Sequence, residues 1–348
     1  MIFYKELAIW YENNKRNLPW RETQNPYFIW LSEIMLQQTR VSQGLPYFLK
    51  FTEVFPTVFD LAKAKEEKVL KLWQGLGYYS RARNLHFAAK YVVDELNGIF
   101  PDNYKNLLDL KGVGDYTASA IASICFNEPV AVVDGNVYRV LSRFFGVSTP
   151  INTTKGIKEF KKLAQSLIDI DNPGDYNQAI MDFGALHCKP QNPLCTECSL
   201  ANSCVAYQNK QVNILPVKVK KIKIKKRFFN YLVLETFDGK TILEERIGKG
   251  IWQGLYQFPL LESEKSIEVE ELMGSKIFNE LFTGELTVKL FNSKEIVHKL
   301  SHQHLHVHFW IIKSKSKIKV NVDWDKVREF PVPVLIENFL KAYLNNKS

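Results

Sequence analysis

Four cysteines in one short segment, spaced Cys188-x6-Cys195-x2-Cys198-x5-Cys204, constrain this chain more than any other feature. Thiols gathered so closely must either be tied to a common centre or be a chance cluster. Two centres suit four thiolates, a single tetrahedral metal ion or a cubane iron–sulfur cluster, because both need soft, deprotonated sulfur. Zinc ribbons usually draw their ligands from two close pairs separated by a longer loop, whereas one compact loop supplies all four here. Pro190 and Pro193 stiffen that loop and lower the entropy cost of closing it. The fifth cysteine, Cys125, stands alone in an apolar stretch and reads as a small core residue. Five cysteines in 348 residues do not suggest a disulfide scaffold, and thiols that stay reduced fit an intracellular protein.

The opening Met1–Glu6 has neither a basic leader nor an apolar core, and no apolar run approaches the length of a membrane span. The expectation is therefore a soluble, cytoplasmic protein, associated with the nucleoid if the source is bacterial. Lys and Arg number 46 against 37 Asp and Glu, a formal charge of +9. That excess suits a polyanionic partner, since neutralising phosphates releases counterions, but it suits a merely Lys-rich surface equally well.

Residues 1 to about 208 carry helical spacing, as in Phe28, Leu31, Met35 and Leu36, or Val69, Leu72, Trp73 and Leu76. Asn25-Pro26 predicts a capped helix start. A basic stretch follows, with Lys218, Lys220, Lys221, Lys223, Lys225, Lys226 and Arg227 interleaved with Val and Ile, and reads as a linker or an edge strand. Beyond it the pattern turns strand-like over Tyr231–Thr236, Thr241–Ile247, Leu286–Leu290 and His304–Ile312, with helices near Val269–Leu281 and Val334–Leu344. The fold class expected is a mostly α helical part followed by a separate α+β domain.

Two carboxylates stand in unusual contexts. Glu33 lies in Leu31-Ser32-Glu33-Ile34-Met35-Leu36-Gln37-Gln38-Thr39, and Asp134 in Val132-Val133-Asp134-Gly135-Asn136-Val137. Taken singly, Glu33 reads as a solvent-facing helical residue and Asp134 as the cap of the next helix. A capping aspartate still keeps one oxygen for other work. Leu110-Lys111-Gly112-Val113-Gly114-Asp115-Tyr116-Thr117-Ala118 precedes an Ala-rich run. Its Gly112 and Gly114 would let backbone N–H groups approach a phosphate at a helix start, though a short Gly-x-Gly is more often a plain turn.

Together these strings resemble the endonuclease III superfamily of helix-hairpin-helix DNA glycosylases, and within it the MutY-type adenine glycosylases. The resemblance spans nearly the whole chain. It implies a six-helix module over 22–130, a cluster module from 1–21 and 131–208, a basic linker over 209–228 and a Nudix-like domain over 229–348. It favours a [4Fe–4S] cluster on the four cysteines over zinc. It also implies a monomeric, monofunctional enzyme that releases adenine from duplex DNA where it is mispaired with 8-oxoguanine or guanine. Glu33 would be the general acid and Asp134 would stabilise the sugar cation, the pairing that an oxocarbenium-like transition state asks for. Tyr116 would replace the Schiff-base lysine of the bifunctional members, and Lys111 sits where the family usually has Pro.

The same resemblance makes Gln38, and Tyr78 in Gly75-Leu76-Gly77-Tyr78, the residues that probe the duplex during base flipping, with Gly112, Gly114 and Asn136 also at the DNA. Arg16, Leu18, Trp20, Arg21 and Gln178 would line the adenine pocket. Leu300-Ser301-His302 stands where the family carries Phe-Ser-His to read the oxidised guanine, so the two donors are present and the aromatic is absent. Lys249–Pro259 matches a stretch of the family's Nudix-like domain, but the glutamate-rich magnesium helix of working Nudix hydrolases is incomplete, and Glu268, Glu270 and Glu271 read as a helix surface. Five of the seven histidines fall in His298–His308. On a strand, His302, His304, His306 and His308 would share one face without converging on one ion. The competing readings are an endonuclease III-like glycosylase/lyase, a Nudix hydrolase fused to a DNA-binding module, and a catalytically dead lesion-binding protein, against which the intact Glu33 and Asp134 argue.

Overall fold

A computed structural model describes residues 2–219, 224–314 and 318–345. Lys220, Lys221 and Lys223 of the basic stretch lie outside them. The chain divides into two units, Met1–Lys63 with Asn84–Lys220, and Ala64–Arg83 with Lys221–Ser348.

The helices run in order α1 (Ile2–Asn14), α2 (Pro26–Leu36), α3 (Val41–Val54), α4 (Val58–Lys63), α5 (Glu66–Leu72), α6 (Ser80–Asp94), α7 (Tyr104–Leu107), α8 (Asp115–Phe126), α9 (Gly135–Phe145), α10 (Thr154–Leu167), α11 (Pro173–Asp182) and α12 (Val205–Gln208). As expected, Asn25 caps α2, its side chain accepting from the Tyr27 N–H at 3.0 Å, with Pro26 in the first helical position. Tyr27 and every residue from Ile29 to Met35 are buried, so α2 is an internal helix rather than an amphipathic one. It packs against α3 and α8. The buried Ala118, Ser119, Ala120 and Ala122 of α8 are small enough to admit that close approach. Between α7 and α8 the chain reverses through Leu110–Gly114, where Gly112 takes φ +88° and a Cβ would lie 2.9 Å from the Asn84 Cβ.

A second core in this unit joins α1, α9, α10 and α11 through Phe3, Leu7, Val137, Leu141, Phe160 and Ile180. After α11 the helix widens over Phe183–His187 and leads into the cysteine loop.

The other unit is built on a sheet. Its strands are β1 (Lys225–Thr236), β2 (Lys240–Thr241), β3 (Glu244–Glu245), β4 (Tyr256–Gln257), β5 (Leu260–Ser263), β6 (Leu286–Leu290), β7 (Ile296–Lys299), β8 (Gln303–Ser314) and β9 (Val322–Asp323). The main sheet has the order β5-β1-β8-β6, with β7 also paired to β8. The long β1 and β8 run parallel, Lys225 opposite Gln303 through Thr236 opposite Ser314. Helices α13 (Val269–Met273) and α14 (Lys276–Leu281) cover one face, with Leu272, Phe278 and Phe282 on Leu232, Leu234, Trp310 and Ile312. Helix α15 (Val334–Asn345) covers the other, Phe339 stacking on Phe309 at 4.1 Å.

The helix expected over Val269–Leu281 is two short ones. Gly274 ends the first, and the Ser275 side chain starts the second by accepting from the Phe278 N–H. The extended stretch expected over Thr241–Ile247 pairs only at Lys240–Thr241 and Glu244–Glu245. The segment holding α5 is fastened to this unit by polar contacts: Lys71 Nζ donates to the Phe330 carbonyl at 3.0 Å, Gln74 Nε2 to Glu337 at 2.7 Å, and the Val332 N–H to Gln74 Oε1 at 3.1 Å. Among the described residues no helix is long and apolar enough to cross a membrane.

Because α2 depends on its cap, Asn25→Ala should cost about 1 kcal/mol, with Asn25→Asp nearly neutral. The reading is a lower urea midpoint at unchanged slope.

Candidate active site

A cavity of about 470 Å³ opens in the helical unit, and its wall brings together residues that lie far apart in sequence. Glu33 and Leu36 come from α2, Tyr116 from α8, Asp134 and Asn136 from the start of α9, and Gln178 and Asp182 from α11. Arg16, Leu18, Trp20 and Arg21 come from the connection between α1 and α2, and Gln38 from just beyond α2.

Glu33 is not the solvent-facing residue that its helix alone would suggest. It is 7 % exposed, and burial raises its carboxyl pKa from 4.5 to about 7. The neighbouring Asp134 charge pushes in the same direction, while the Tyr116 hydrogen bond and the Arg21 charge pull the other way. The Tyr116 hydroxyl also lies 3.1 Å from the Met181 sulfur, and burial beside two carboxylates holds its pKa well above 10.

Asp134 caps α9. Its Oδ1 accepts from the Asn136 and Val137 N–H groups, both at 2.8 Å, and its Oδ2 accepts from Asn136 Nδ2 at 2.8 Å. Burial raises its pKa, and those hydrogen bonds oppose the rise by stabilising the anion. The second oxygen is thus held by Asn136 rather than left free. Asn136 is oriented in turn by Arg139, whose Nη2 donates to its Oδ1 at 2.8 Å and to the Gly184 carbonyl at 2.6 Å. Gly184 is required there, because a Cβ would fall 2.7 Å from that of Asn136.

The sequence reading missed Asp182. It is fully buried and accepts from Arg21 Nη1 at 2.6 Å, from Arg21 Nη2 at 2.8 Å and from Arg16 Nε at 3.1 Å, with Arg16 Nη2 also in contact. Burial alone would raise its pKa, but the two arginines hold it below the usual carboxylate value. Its only sequence signal is an acidic residue inside the apolar run Ala179–Leu186. Gln178 accepts from the Tyr11 hydroxyl at 3.2 Å.

Other residues singled out from sequence lie away from this cavity. Gly114 begins α8, where a Cβ would meet nothing within 4 Å. Tyr78, in the other unit, is 48 % exposed, with the Arg81 guanidinium 5.6 Å from its ring. Gln38 and Tyr78 share one property, a left-handed backbone at φ 55° and 48°. Such a conformation is costly for residues other than glycine. Leu300, Ser301 and His302 form the tip of the β7–β8 hairpin, with the two donors exposed and Ser301 Oγ 3.4 Å from His302 Nδ1. His302 therefore precedes the strand. His304, His306 and His308 share a face of β8, where His306 stacks on Phe228 and bonds to Glu295.

Cys188, Cys195, Cys198 and Cys204 all line a second, small apolar cavity of about 30 Å³. Among the described residues no three His, Cys, Asp or Glu side chains converge on a single-ion position. Arg143 Nη1 donates to Cys188 Sγ at 3.4 Å, and Cys204 Sγ donates to the Arg143 carbonyl at 3.4 Å. His187, on the same wall, has a buried Nε2 without a partner. Cys125 is half-buried on α8, and burial pushes its thiol up to about 12.

Residues 31–166 match the HhH-GPD superfamily of base excision DNA repair proteins, and residues 230–342 match the NUDIX domain. An adenine DNA glycosylase of Buchnera aphidicola subsp. Baizongia pistaciae is 37% identical over 305 residues, covering 87% of this chain and 83% of that protein. The adenine DNA glycosylase of Homo sapiens is 45% identical over 215 residues, 59% of this chain and 39% of that one. Among solved structures, a thermostable thymine-DNA glycosylase superposes with a TM-score of 0.56 at 32% identity, over 60% of this chain and 96% of its own. With its helical and Nudix-like parts in that order and a bacterial relative matched over most of both lengths, the chain belongs to the adenine DNA glycosylase family.

Proposed function

We propose that this protein acts as a monomer on duplex DNA and hydrolyses the N-glycosidic bond of adenine mispaired with 8-oxoguanine or guanine, without strand cleavage. One observation carries the reading: Glu33, a buried carboxyl pushed up to about 7, and a second carboxylate, Asp134, line one cavity with room for an extruded base. A leaving purine needs a proton, and the sugar it leaves needs a negative charge. Glu33, protonated near neutral pH, supplies the proton at the adenine ring. Asp134, whose anionic form the N–H groups at the start of α9 stabilise against burial, faces the sugar as positive charge develops. Tyr116 holds the Glu33 carboxyl through its hydroxyl and, lacking an amine, cannot form a Schiff base.

Arg16, Leu18, Trp20, Arg21 and Gln178 enclose the extruded base. Gln38 and Tyr78 enter the duplex; their left-handed backbones suit side chains that must project rather than pack. Gly112 and Gly114 let the hairpin N–H groups approach a phosphate. The four cysteines fit a [4Fe–4S] cluster: they are soft donors around one cavity, with Arg143 beside two of the sulfurs. When bound, the cluster supplies the iron–thiolate bonds that close this loop. Ser301 and His302, exposed at a hairpin tip, offer the donors that distinguish an oxidised guanine, with Leu300 in place of a stacking ring.

Glu33→Gln should lower single-turnover adenine release from a duplex with adenine opposite 8-oxoguanine by about 100-fold or more. Unchanged release would remove Glu33 from the role of acid. In the wild type the rate should fall with rising pH along a limb centred near 7. Stability carries the same sign. Between 4.5 and about 7 the folded chain binds more protons at Glu33 than the unfolded chain does, so stability drops as pH rises through that window. Glu33→Gln should therefore be more stable than the wild type above pH ~7, by on the order of 1–3 kcal/mol, read as a higher unfolding temperature. Ser301→Ala with His302→Ala should reduce the preference for 8-oxoguanine over guanine opposite adenine by about tenfold, with little change on the guanine mispair. Equal losses on both substrates would place recognition elsewhere.

A further inference from the structure

We propose that Asp182 is a positioning residue for base excision, fixing the guanidinium groups of Arg16 and Arg21 at the cavity wall beside Glu33. The inference rests on the reading of Glu33 as the acid. Asp182 is fully buried, and its two oxygens accept from both arginines, Arg21 by a two-point contact at 2.6 and 2.8 Å. Such a fork fixes the plane of a guanidinium as well as its place. The Arg21 side chain is only 14% exposed, and it also donates to the Arg16 carbonyl at 3.2 Å, so its charge has little room to move.

The charge of Arg21 bears on Glu33 and favours its carboxylate form. The charged and titratable groups around the acid are Arg21 and Arg16 from the α1–α2 connection, Arg40 ahead of α3, Tyr116 and Cys125 on α8, Asp134 at the cap of α9 and Asp182 at the end of α11. Burial and Asp134 keep Glu33 protonated, and Arg21 and the Tyr116 hydrogen bond oppose them. Asp182 sets how much of the arginine charge remains. Two guanidinium groups and one carboxylate leave a single net positive charge. Removing Asp182 leaves two, and removing Arg16 leaves none.

The two changes should therefore move the same titration in opposite directions, which a merely structural role would not do. The test is single-turnover adenine release across the neutral pH range, on a duplex with adenine opposite 8-oxoguanine. In Asp182→Asn the falling limb should move about one unit toward lower pH, so that the rate on the alkaline side drops roughly tenfold. In Arg16→Gln, whose side chain is 29% exposed and the more dispensable to folding, the limb should move toward higher pH. Limbs that coincide with the wild type in both variants would overturn the proposal. If Asp182→Asn does not fold, the Arg16→Gln limb decides alone, an upward shift supporting the proposal and a coincident one overturning it. Glu33→Gln separates the two levels: a falling limb that persists in it does not belong to Glu33, and the underlying reading fails with the inference.

Discussion

The carboxyl of Glu33 sits on a helix that is buried from Ile29 to Met35, so its charged form would give up hydration that the cavity does not return. Most of the site follows from that cost. The helix must be internal, which requires α8 to present alanines and serines to it. The same cavity holds Arg16 and Arg21, and the buried Asp182 behind them balances part of their charge. An acid held this way lowers stability at neutral pH, and the deep apolar packing of α2 offsets that loss.

Asp134 answers the opposite requirement. A carboxylate that must stay charged in the same enclosure needs fixed donors, and the start of a helix provides them without further charge. Its capping hydrogen bonds are therefore part of its chemistry in the proposed reaction. Asn136, Arg139 and the close passage at Gly184 extend this support toward the cysteine loop, where Arg139 Nε also donates to the Cys188 carbonyl at 2.7 Å. Folding of the loop and placement of the carboxylate are thereby linked through a few hydrogen bonds.

What could be read from sequence had local signatures. The cysteine spacing, the Asn25-Pro26 start, the cap at Asp134 and the change from helical to strand patterning each depend on residues close together in the chain. Glu33 and Asp134 taken singly looked like a surface residue and a cap, and family resemblance was needed to see them as a pair. Asp182 escaped because its meaning lies in partners 161 and 166 residues away. The left-handed backbones of Gln38 and Tyr78 escaped because neither residue type announces one. The helical stretch near Val269–Leu281 is helical as its pattern implies, but it is split because Gly274 ends one helix and Ser275 caps the next.

The bonds that fasten α5 have a temporal consequence. Gln74 receives the Val332 N–H from 258 residues further along the chain. At roughly 5–20 residues per second, the ribosome delivers that partner on the order of ten to fifty seconds after Gln74 has emerged. During that interval the stretch from Ala64 to Arg83 lacks its partners between Arg328 and Glu337. The sheet unit therefore completes only after Val332 has been made, and a nascent chain halted before it would present this stretch to chaperones and proteases.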